Sequence, residues 1–220
     1  MIPYNLHITY TRRPWGAACL AGAMLVAFVA GNPTMSHGGW LPWLAMQTDE
    51  DFRWWQVFTS TFTHDHLGHV AGNAMVTWLC THFLEERVGT PRMLLAFLIS
   101  LLAANLTYFV VTGPIMEQSA PVIGASGTAA GLLGMGVVMA PKIRMSVLFF
   151  RFRGWRITGF ETYYPYGWIF LAYFILHQVW HVWVGNDVAI WAHVGGFATG
   201  LLLGAWFRKT TSPVMYPQIV

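Results

Sequence analysis

Charged side chains are scarce in this chain, and their scarcity argues against an ordinary soluble domain. Asp, Glu, Lys and Arg make up 10% of the 220 residues, whereas soluble domains usually carry about 25%. The mean hydropathy is +0.48. The apolar residues come in blocks of roughly 17–22 residues, a length that crosses about 30 Å of hydrocarbon. The composition therefore predicts an integral membrane protein.

Cysteine is also rare, which excludes a disulfide framework. Both cysteines, Cys19 and Cys80, lie inside apolar blocks, and neither belongs to a CxxC or metal-type spacing. Motifs for nucleotides, metals and organic cofactors are missing as well, so we expect no cofactor and no nucleic-acid partner. Arg12 and Arg13 precede the first apolar block, but no A-x-A cleavage site follows it. This block is expected to be a signal anchor.

The apolar blocks divide into six membrane spans, and the basic residues orient them. If the spans alternate in direction, eleven of the twelve Lys and Arg residues lie on one side, and only Arg53 lies on the other. The positive-inside rule then places both termini in the cytoplasm and the long first loop, 32–66, outside. The predicted spans cover approximately 15–31, 67–84, 92–112, 124–140, 166–185 and 190–207.

The predicted fold is all-α, because unpaired backbone groups are not tolerated in lipid. We expect one six-helix transmembrane domain at 15–207, between a short cytoplasmic N-terminus at 1–14 and a short cytoplasmic tail at 208–220. The first loop is rich in Trp and is expected to lie partly in the bilayer interface. The segment 141–165 is basic and aromatic, so we expect it on the inner surface, where cations meet anionic lipid.

Polar residues inside membrane spans are costly, so each one suggests a function. In this topology spans two, four and six run in the same direction. His69 and Asn73 lie near the start of span two, Ser126 near the start of span four and His193 near the start of span six. All four then lie at similar depth in the outer half of the bilayer. They predict a water-accessible pocket that opens outward.

Glycines flank this serine and this histidine at spacings that favour close helix packing. Ser126 lies in a GASG motif, and His193 begins the run HVGGFATG. Small residues four apart form smooth faces along which membrane helices approach each other. If spans four and six meet along these faces, Ser126 and His193 come within hydrogen-bond distance, as a serine nucleophile and its base require. The glycines concerned include Gly124, Gly127, Gly196, Gly200 and Gly204.

These motifs, together with His69-x-x-x-Asn73 and Glu85-x-x-x-Gly89, resemble those of the rhomboid intramembrane proteases. The six-span layout with a long Trp-containing first loop is similar too. The resemblance covers roughly residues 50–205. Taken alone, the serine motif is a weak signal, but the joint occurrence of all the motifs in this order is strong.

The resemblance implies a catalytic dyad without an aspartate. Ser126 would attack the scissile carbonyl, and His193 would take its proton and deliver it to the leaving amine. The oxyanion would be held by the backbone N–H of Ser126 with the side chains of His69 and Asn73. Glu85 and Gly89 would hold the turn after span two. Substrates would be membrane segments of single-span or polytopic membrane proteins, cut near their outer ends.

Two positions depart from the family pattern. Many relatives carry an aromatic residue four positions after the serine, where it packs on the histidine ring, but this chain has Ala130. Another aromatic residue, such as Trp191 or Trp78, could fill that space. The Trp-Arg pair of the first loop is also altered, since Trp55 is followed by Gln56. The compact six-span core favours a multi-pass protein of a prokaryotic inner membrane.

Three other interpretations are open at this point. A catalytically inactive relative could bind transmembrane helices, which Ala130 would suit. A small transporter is disfavoured because the carboxylates lie at span ends rather than along a pathway. His177 and His181 could bind a metal with His193, but there is no HExxH motif and no acidic residue nearby to act as a base. We therefore expect no metal site and interpret these two histidines as interfacial or helix-bridging. His64 and His66, at the boundary of loop and span, are expected to be interfacial, although either could line the mouth of the pocket.

Overall fold

The computed structural model describes residues 2–6, 10–35, 41–142, 144–153, 156–165, 171–172, 174–176, 178–179, 183 and 189–211. Most of these residues are helical. A π-helical turn at Val111–Ile115, which contains Pro114, continues the helix Thr90–Val110. The helices are α1 (Trp15–Met35), α2 (Leu41–Leu44), α3 (Gln56–Phe62), α4 (Leu67–Val88), α5 (Thr90–Val110), α6 (Ser126–Met139) and α7 (Ile190–Thr210).

Three strands depart from the all-α prediction. β1 (Ile2–Leu6), β2 (Arg144–Arg153) and β3 (Arg156–Pro165) form an antiparallel sheet in the order β1-β2-β3. They lie outside the apolar blocks, where lipid does not impose helical structure. The segment of β2 and β3 is rich in aromatic and β-branched residues, which favour strands. The fold is therefore mostly helical rather than all-helical.

Two of the described helices are long and apolar enough to cross a membrane. They are Thr90–Ile115, with a mean hydropathy of 2.2, and Ile190–Thr210, with a mean hydropathy of 1.3. Trp15–Gly31 and Ser126–Met139 are shorter apolar helices. The helix α4 lies where span two was predicted, and most of the predicted span at 166–185 lies outside the described residues. The number of spans therefore stays a prediction.

The turn between α4 and α5 consists of a single residue. Gly89 has φ +80°, a left-handed conformation that L side chains rarely adopt. Its N–H donates to the carbonyl of Glu85 and closes the last turn of α4. Pro91 follows in the first turn of α5, where its missing N–H is tolerated. This compact turn lies at the opposite end of α4 from the polar residues His69 and Asn73.

The helices α6 and α7 pack closely along their glycine faces. A Cβ atom at Gly196 would overlap the carbonyl oxygen of Gly127, and one at Gly200 would overlap the carbonyl oxygen of Gly131. A Cβ at Gly204 would lie 2.8 Å from the carbonyl oxygen of Met135. Contact at this range requires glycine on the α7 side. This is the packing that the glycine spacing predicts, and it brings the N-terminal ends of both helices together.

Candidate active site

A serine and a histidine are hydrogen-bonded where α6 and α7 begin. The Nε2 of His193 lies 2.8 Å from the Oγ of Ser126. Ser126 is the first residue of α6, and His193 lies in the first turn of α7. The imidazole is buried, with 4% of the residue exposed. Both side chains are carried by the helix ends that the glycine packing brings together.

The second ring nitrogen of this histidine is also hydrogen-bonded. The Nδ1 of His193 lies 3.0 Å from the Oε1 of Gln178. An amide oxygen only accepts hydrogen bonds, so this pairing assigns the ring hydrogen to Nδ1. The unprotonated Nε2 then accepts from the hydroxyl of Ser126. The ring is thus in the tautomer that a general base needs.

Gln178 is a site residue that the sequence prediction missed. It lies in the fifth apolar block, between His177 and His181. The available signal was its side-chain amide, which is costly in an apolar span. His177 and His181 themselves lie outside the described residues.

Two side-chain nitrogens from α4 converge on the backbone just before Ser126. Gly124 has φ +97°, and a Cβ built there would lie 2.5 Å from the Nε2 of His69 and 3.1 Å from the Nδ2 of Asn73. The N–H of Gly124 donates to the carbonyl of Ser60, which holds this backbone in place. The structure therefore brings His69 and Asn73 to the same place as Ser126.

A buried histidine supports Asn73 from behind. His64, just before α4, is fully buried in the fold. Its Nε2 lies 3.0 Å from the Nδ2 of Asn73, and its Nδ1 lies 3.3 Å from the carbonyl oxygen of Phe62. The amide nitrogen donates to Nε2, while Nδ1 donates to the carbonyl. Burial, with a smaller contribution from His69, lowers the pKa of His64 to about 4. The ring is therefore neutral at pH 7.

His69 is held from its other side by a carboxylate. Its Nδ1 lies 2.7 Å from the Oδ1 of Asp65. Burial alone would raise the pKa of Asp65, but the hydrogen bond and the charge of His69 outweigh that effect and lower it. Because a carboxylate only accepts, Nδ1 of His69 carries a hydrogen. The Nε2 of His69 is left facing Gly124.

Asp65, His66 and His69 place one metal-ligating atom each within 4.8 Å of one another. Their hydrogen bonds already engage them otherwise. The Nδ1 of His66 accepts the backbone N–H of His69 and caps α4. In a neutral ring the hydrogen of His66 then lies on Nε2, so neither of its nitrogens is available as a ligand. These contacts favour a helix cap over a metal site.

These groups line an open cavity of about 410 Å³. Ala130, which is buried, contributes only a methyl group to its wall. Neither of the two tryptophans that could fill the space beside Ala130 lines this cavity. The ring of Trp78 packs on His82, and Trp191 is 41% exposed. The lining residues include Gly68, His69, Gly72, Asn73, Ser126, Ala129, Ala130, Leu133, Phe174, Gln178 and His193.

Glu85 lies away from this cavity. Its carboxylate is buried and accepts the backbone N–H groups of Gly16 and Ala17, each at 2.9 Å, and the hydroxyl of Thr90 at 2.6 Å. Carboxylates favour helix N-termini, where backbone N–H groups lack partners. Glu85 therefore joins the start of α1 to the turn at Gly89.

The altered position in the first loop is also held by hydrogen bonds. The side chain of Gln56 is buried, and its Oε1 accepts the backbone N–H of Arg53 at 2.9 Å and that of Gln47 at 3.3 Å. The Nε1 of Trp55 donates to the carbonyl of Trp43. These contacts place Gln56 at the start of α3 as an anchor of the loop.

Comparison with known proteins gives one consistent result. A family model described as Rhomboid domain matches residues 51–210. The rhomboid protease GlpG of Klebsiella pneumoniae (strain 342) is 26% identical to the chain over 185 residues, which are 84% of this chain and 58% of that protein. The protein of the same name from Salmonella newport is 26% identical over 163 residues, 73% of this chain and 52% of that protein. The chain thus spans a little over half the length of these curated relatives.

Proposed function

The chain belongs to the rhomboid family, whose domain model matches residues 51–210, and from this premise we propose that it is an intramembrane serine endopeptidase. The observation that carries the proposal is the 2.8 Å hydrogen bond between Ser126 and the buried ring of His193. The relatives that match over most of the chain are named rhomboid proteases. Both dyad residues line the open cavity of about 410 Å³.

In the proposed reaction, Ser126 Oγ attacks the carbonyl carbon of the scissile peptide bond while His193 Nε2 takes the hydroxyl proton. The tetrahedral intermediate collapses as the same nitrogen gives that proton to the leaving amine. Water then attacks the acyl ester, with His193 again acting as base, and releases Ser126. A hydrogen on Nδ1 throughout keeps Nε2 as the nitrogen that exchanges the proton.

The oxyanion is proposed to lie between Ser126 and the two nitrogens from α4. The N–H of Ser126 is in the first turn of α6, where backbone donors have no partner within the helix. Asn73 has a second amide hydrogen beyond the one given to His64. The Nε2 of His69 faces the same place, because its Nδ1 is held by the Asp65 carboxylate. A single donor of this kind typically lowers the activation barrier by about 3 kcal/mol.

The membrane setting of this reaction is proposed from the family and the charge pattern. Rhomboid proteins are integral membrane proteins, and the bacterial relatives suggest an inner membrane. We place six spans between cytoplasmic termini, with the transmembrane domain at 15–207, because eleven of twelve basic residues then lie inside. The substrates would be membrane segments of other membrane proteins, cut near their outer ends.

Cleavage of a reporter transmembrane segment by the reconstituted protein tests this function. Ser126→Ala and His193→Ala are each expected to abolish cutting while thermal unfolding in detergent stays as in the unchanged protein. Ser119→Ala is the matched control, since this exposed serine bonds Asp49 in a loop and does not line the cavity. Its cleavage rate should be unchanged.

The same experiment decides between this function and an inactive relative that binds transmembrane helices. Cutting that persists in Ser126→Ala removes that serine as the nucleophile. Binding of reporter segments without cutting, across a varied panel and with folded protein, supports the inactive relative. Ala130, in place of the aromatic residue found in many rhomboid proteases, is the sequence feature that favours that outcome.

A further inference from the structure

We propose that Gln178 is a positioning residue that orients the imidazole of His193 through Nδ1, in the place that an aspartate occupies in Ser-His-Asp triads. This inference rests on the proposed proteolytic function, because orientation of a base matters only where a proton is transferred. The contact that carries it is the 3.0 Å hydrogen bond from His193 Nδ1 to Gln178 Oε1. It extends the pair Ser126–His193 to a chain of three side chains.

The three side chains come from three separate parts of the fold. Ser126 begins α6 and His193 lies in the first turn of α7. Gln178 lies between β3 and α7, where the described residues 171–172, 174–176 and 178–179 are all helical. We call these residues the 171–179 stretch. Convergence of three independent elements on one imidazole is unlike a local helix contact, which joins residues four apart on the same helix.

A second contact fixes the register of the 171–179 stretch on α7. The rings of Phe174 and Phe197 stack with centroids 4.3 Å apart and an interplanar angle of 13°. Phe174 precedes Gln178 by four residues, and Phe197 follows His193 by four. Residues four apart lie on one face of a helix, so the two contacts form adjacent rungs between antiparallel segments. The stacked rings hold Gln178 opposite the imidazole.

The hydrogen bond to Gln178 orients the imidazole of His193, which the methyl group of Ala130 cannot do. A side chain at position 130 faces the same cavity as His193, but here it ends at a methyl group. An aromatic ring there would restrict the imidazole by packing, as in many rhomboid relatives. Gln178 instead restricts the rotation of the imidazole, because its Oε1 accepts a hydrogen bond only from a ring nitrogen that points at it. The chain therefore combines Ala130 with a polar residue on the facing stretch.

The chemical consequence is a fixed tautomer without a second negative charge. Oε1 of Gln178 accepts the Nδ1 hydrogen both before and after Nε2 takes the proton of Ser126, so no proton moves to the amide. The amide dipole stabilises the imidazolium less than a carboxylate would. A glutamate at this position would keep the hydrogen bond and favour the protonated ring.

Two variants of Gln178 separate the effect of the hydrogen-bond acceptor from the effect of its charge. Gln178→Leu keeps the bulk and removes the acceptor. Gln178→Glu restores an acceptor and adds a charge. Gln118→Leu is the matched control, because Gln118 is exposed in the loop before α6 and does not line the cavity. Apart from His193, the one ionisable side chain among the described lining residues is His69, on α4, with Asp65 behind it. Neither is altered in these variants.

The first readout does not depend on cleavage. Protein carrying ring-15N histidine is compared with its His193→Asn variant to assign the His193 signals. Nitrogen shifts of the unchanged protein should show a neutral ring with its hydrogen on Nδ1, and Gln178→Leu should lose that preference. A ring with its hydrogen on Nε2 in the unchanged protein overturns the inference, whether or not the protein cuts.

The second readout is the kinetics of reporter cleavage. Gln178→Leu should lower kcat by about 10- to 100-fold, as expected for a lost hydrogen bond to a charged group, with little change in KM. Gln178→Glu should recover most of the rate and move the acid limb of the kcat/KM profile to higher pH. A Leu variant at the unchanged rate, or a Glu variant as poor as Leu, overturns the inference. A protein that shows the Nδ1 tautomer but cuts no substrate contradicts the proposed function instead.

Discussion

The two ends of α4 both contain buried polar groups, but they use them differently. At the C-terminal end, the carboxylate of Glu85 accepts from Gly16, Ala17 and Thr90 within the fold. At the N-terminal end, nitrogens of His69 and Asn73 face a cavity beside Ser126. The polar atoms at the C-terminal end of α4 join helices to one another, whereas those at the N-terminal end face a space that a ligand can enter. A buried polar residue is therefore not by itself a sign of chemistry. What its polar atoms face decides between structure and function.

Outside the dyad, the largest effect on activity is expected at the N-terminal end of α4, from Gly124→Ala. The added Cβ would meet the Nε2 of His69 in a backbone conformation that alanine rarely adopts. We expect cleavage to fall by about 100-fold, comparable to the loss of one oxyanion donor. Gly22→Ala is the control, because nothing lies within 4 Å of a Cβ there. Reporter cleavage measures both, and an active Gly124→Ala would argue against the proposed oxyanion site.

At the C-terminal end of α4, Glu85→Ala is expected to lower stability rather than activity. The change leaves the N–H groups of Gly16 and Ala17 without their buried acceptor, at a cost of about 3 kcal/mol or more. Thermal unfolding in detergent should show a clear loss of stability. The cleavage rate of the protein that stays folded should change little. Glu50→Gln, at an exposed position, should leave both unchanged. A Glu85→Ala protein that is fully stable but inactive would erase the distinction between the two ends.

A smaller effect, dependent on pH, is expected at His64, which supports Asn73. Its pKa is lowered from 6.5 to about 4 in the folded protein. The unfolded chain therefore binds more protons at this residue between these values, and stability falls as pH drops from about 6.5 towards about 4. Unfolding of His64→Gln should depend less on pH in this window than unfolding of the unchanged protein. Gln118→Leu, at an exposed position without a titratable group, is the control. Identical slopes in both variants would mean that the burial of His64 does not govern this dependence.

The smallest effect is expected at Ala130. An aromatic side chain there would pack near His193, whose orientation Gln178 already fixes, so Ala130→Tyr alone should change the cleavage rate by less than about 3-fold. In the Gln178→Leu background the same change should recover activity by about 3- to 10-fold, since aromatic packing contributes roughly 0.5–1.5 kcal/mol. Equal effects in both backgrounds would show that the two residues act independently.

The central geometry of the site follows from the sequence. Glycines four apart on α7 permit a backbone approach that larger residues would prevent, and the positions of Ser126 and His193 in their motifs then determine which side chains meet. The roles of Glu85 and Gly89 in the turn between α4 and α5 came from the resemblance to rhomboid proteases. Short spacing rules of this kind suffice where both partners belong to regular helices.

Gln178 and His64 could not be placed in the same way. Whether Gln178 faces His193 depends on the rotation and register of the 171–179 stretch, which are set by the stacking of Phe174 on Phe197. The position of His64 depends on contacts with the end of α3, at Phe62, and with Asn73 on α4. The strands were missed because hydropathy separates spans from loops but does not assign structure outside the spans. Contacts between distant segments decide each of these features.

The nucleophile is the claim on which the site depends, and covalent labelling tests it most directly. The reconstituted protein is treated with a fluorophosphonate, which reacts with activated serines, and the modified residue is located by peptide mass spectrometry. We predict a single adduct on Ser126 that is absent in His193→Ala and about 10-fold slower or more to form in Gln178→Leu. An adduct on another serine, or equal labelling of Ser126 without His193, would contradict the proposed dyad.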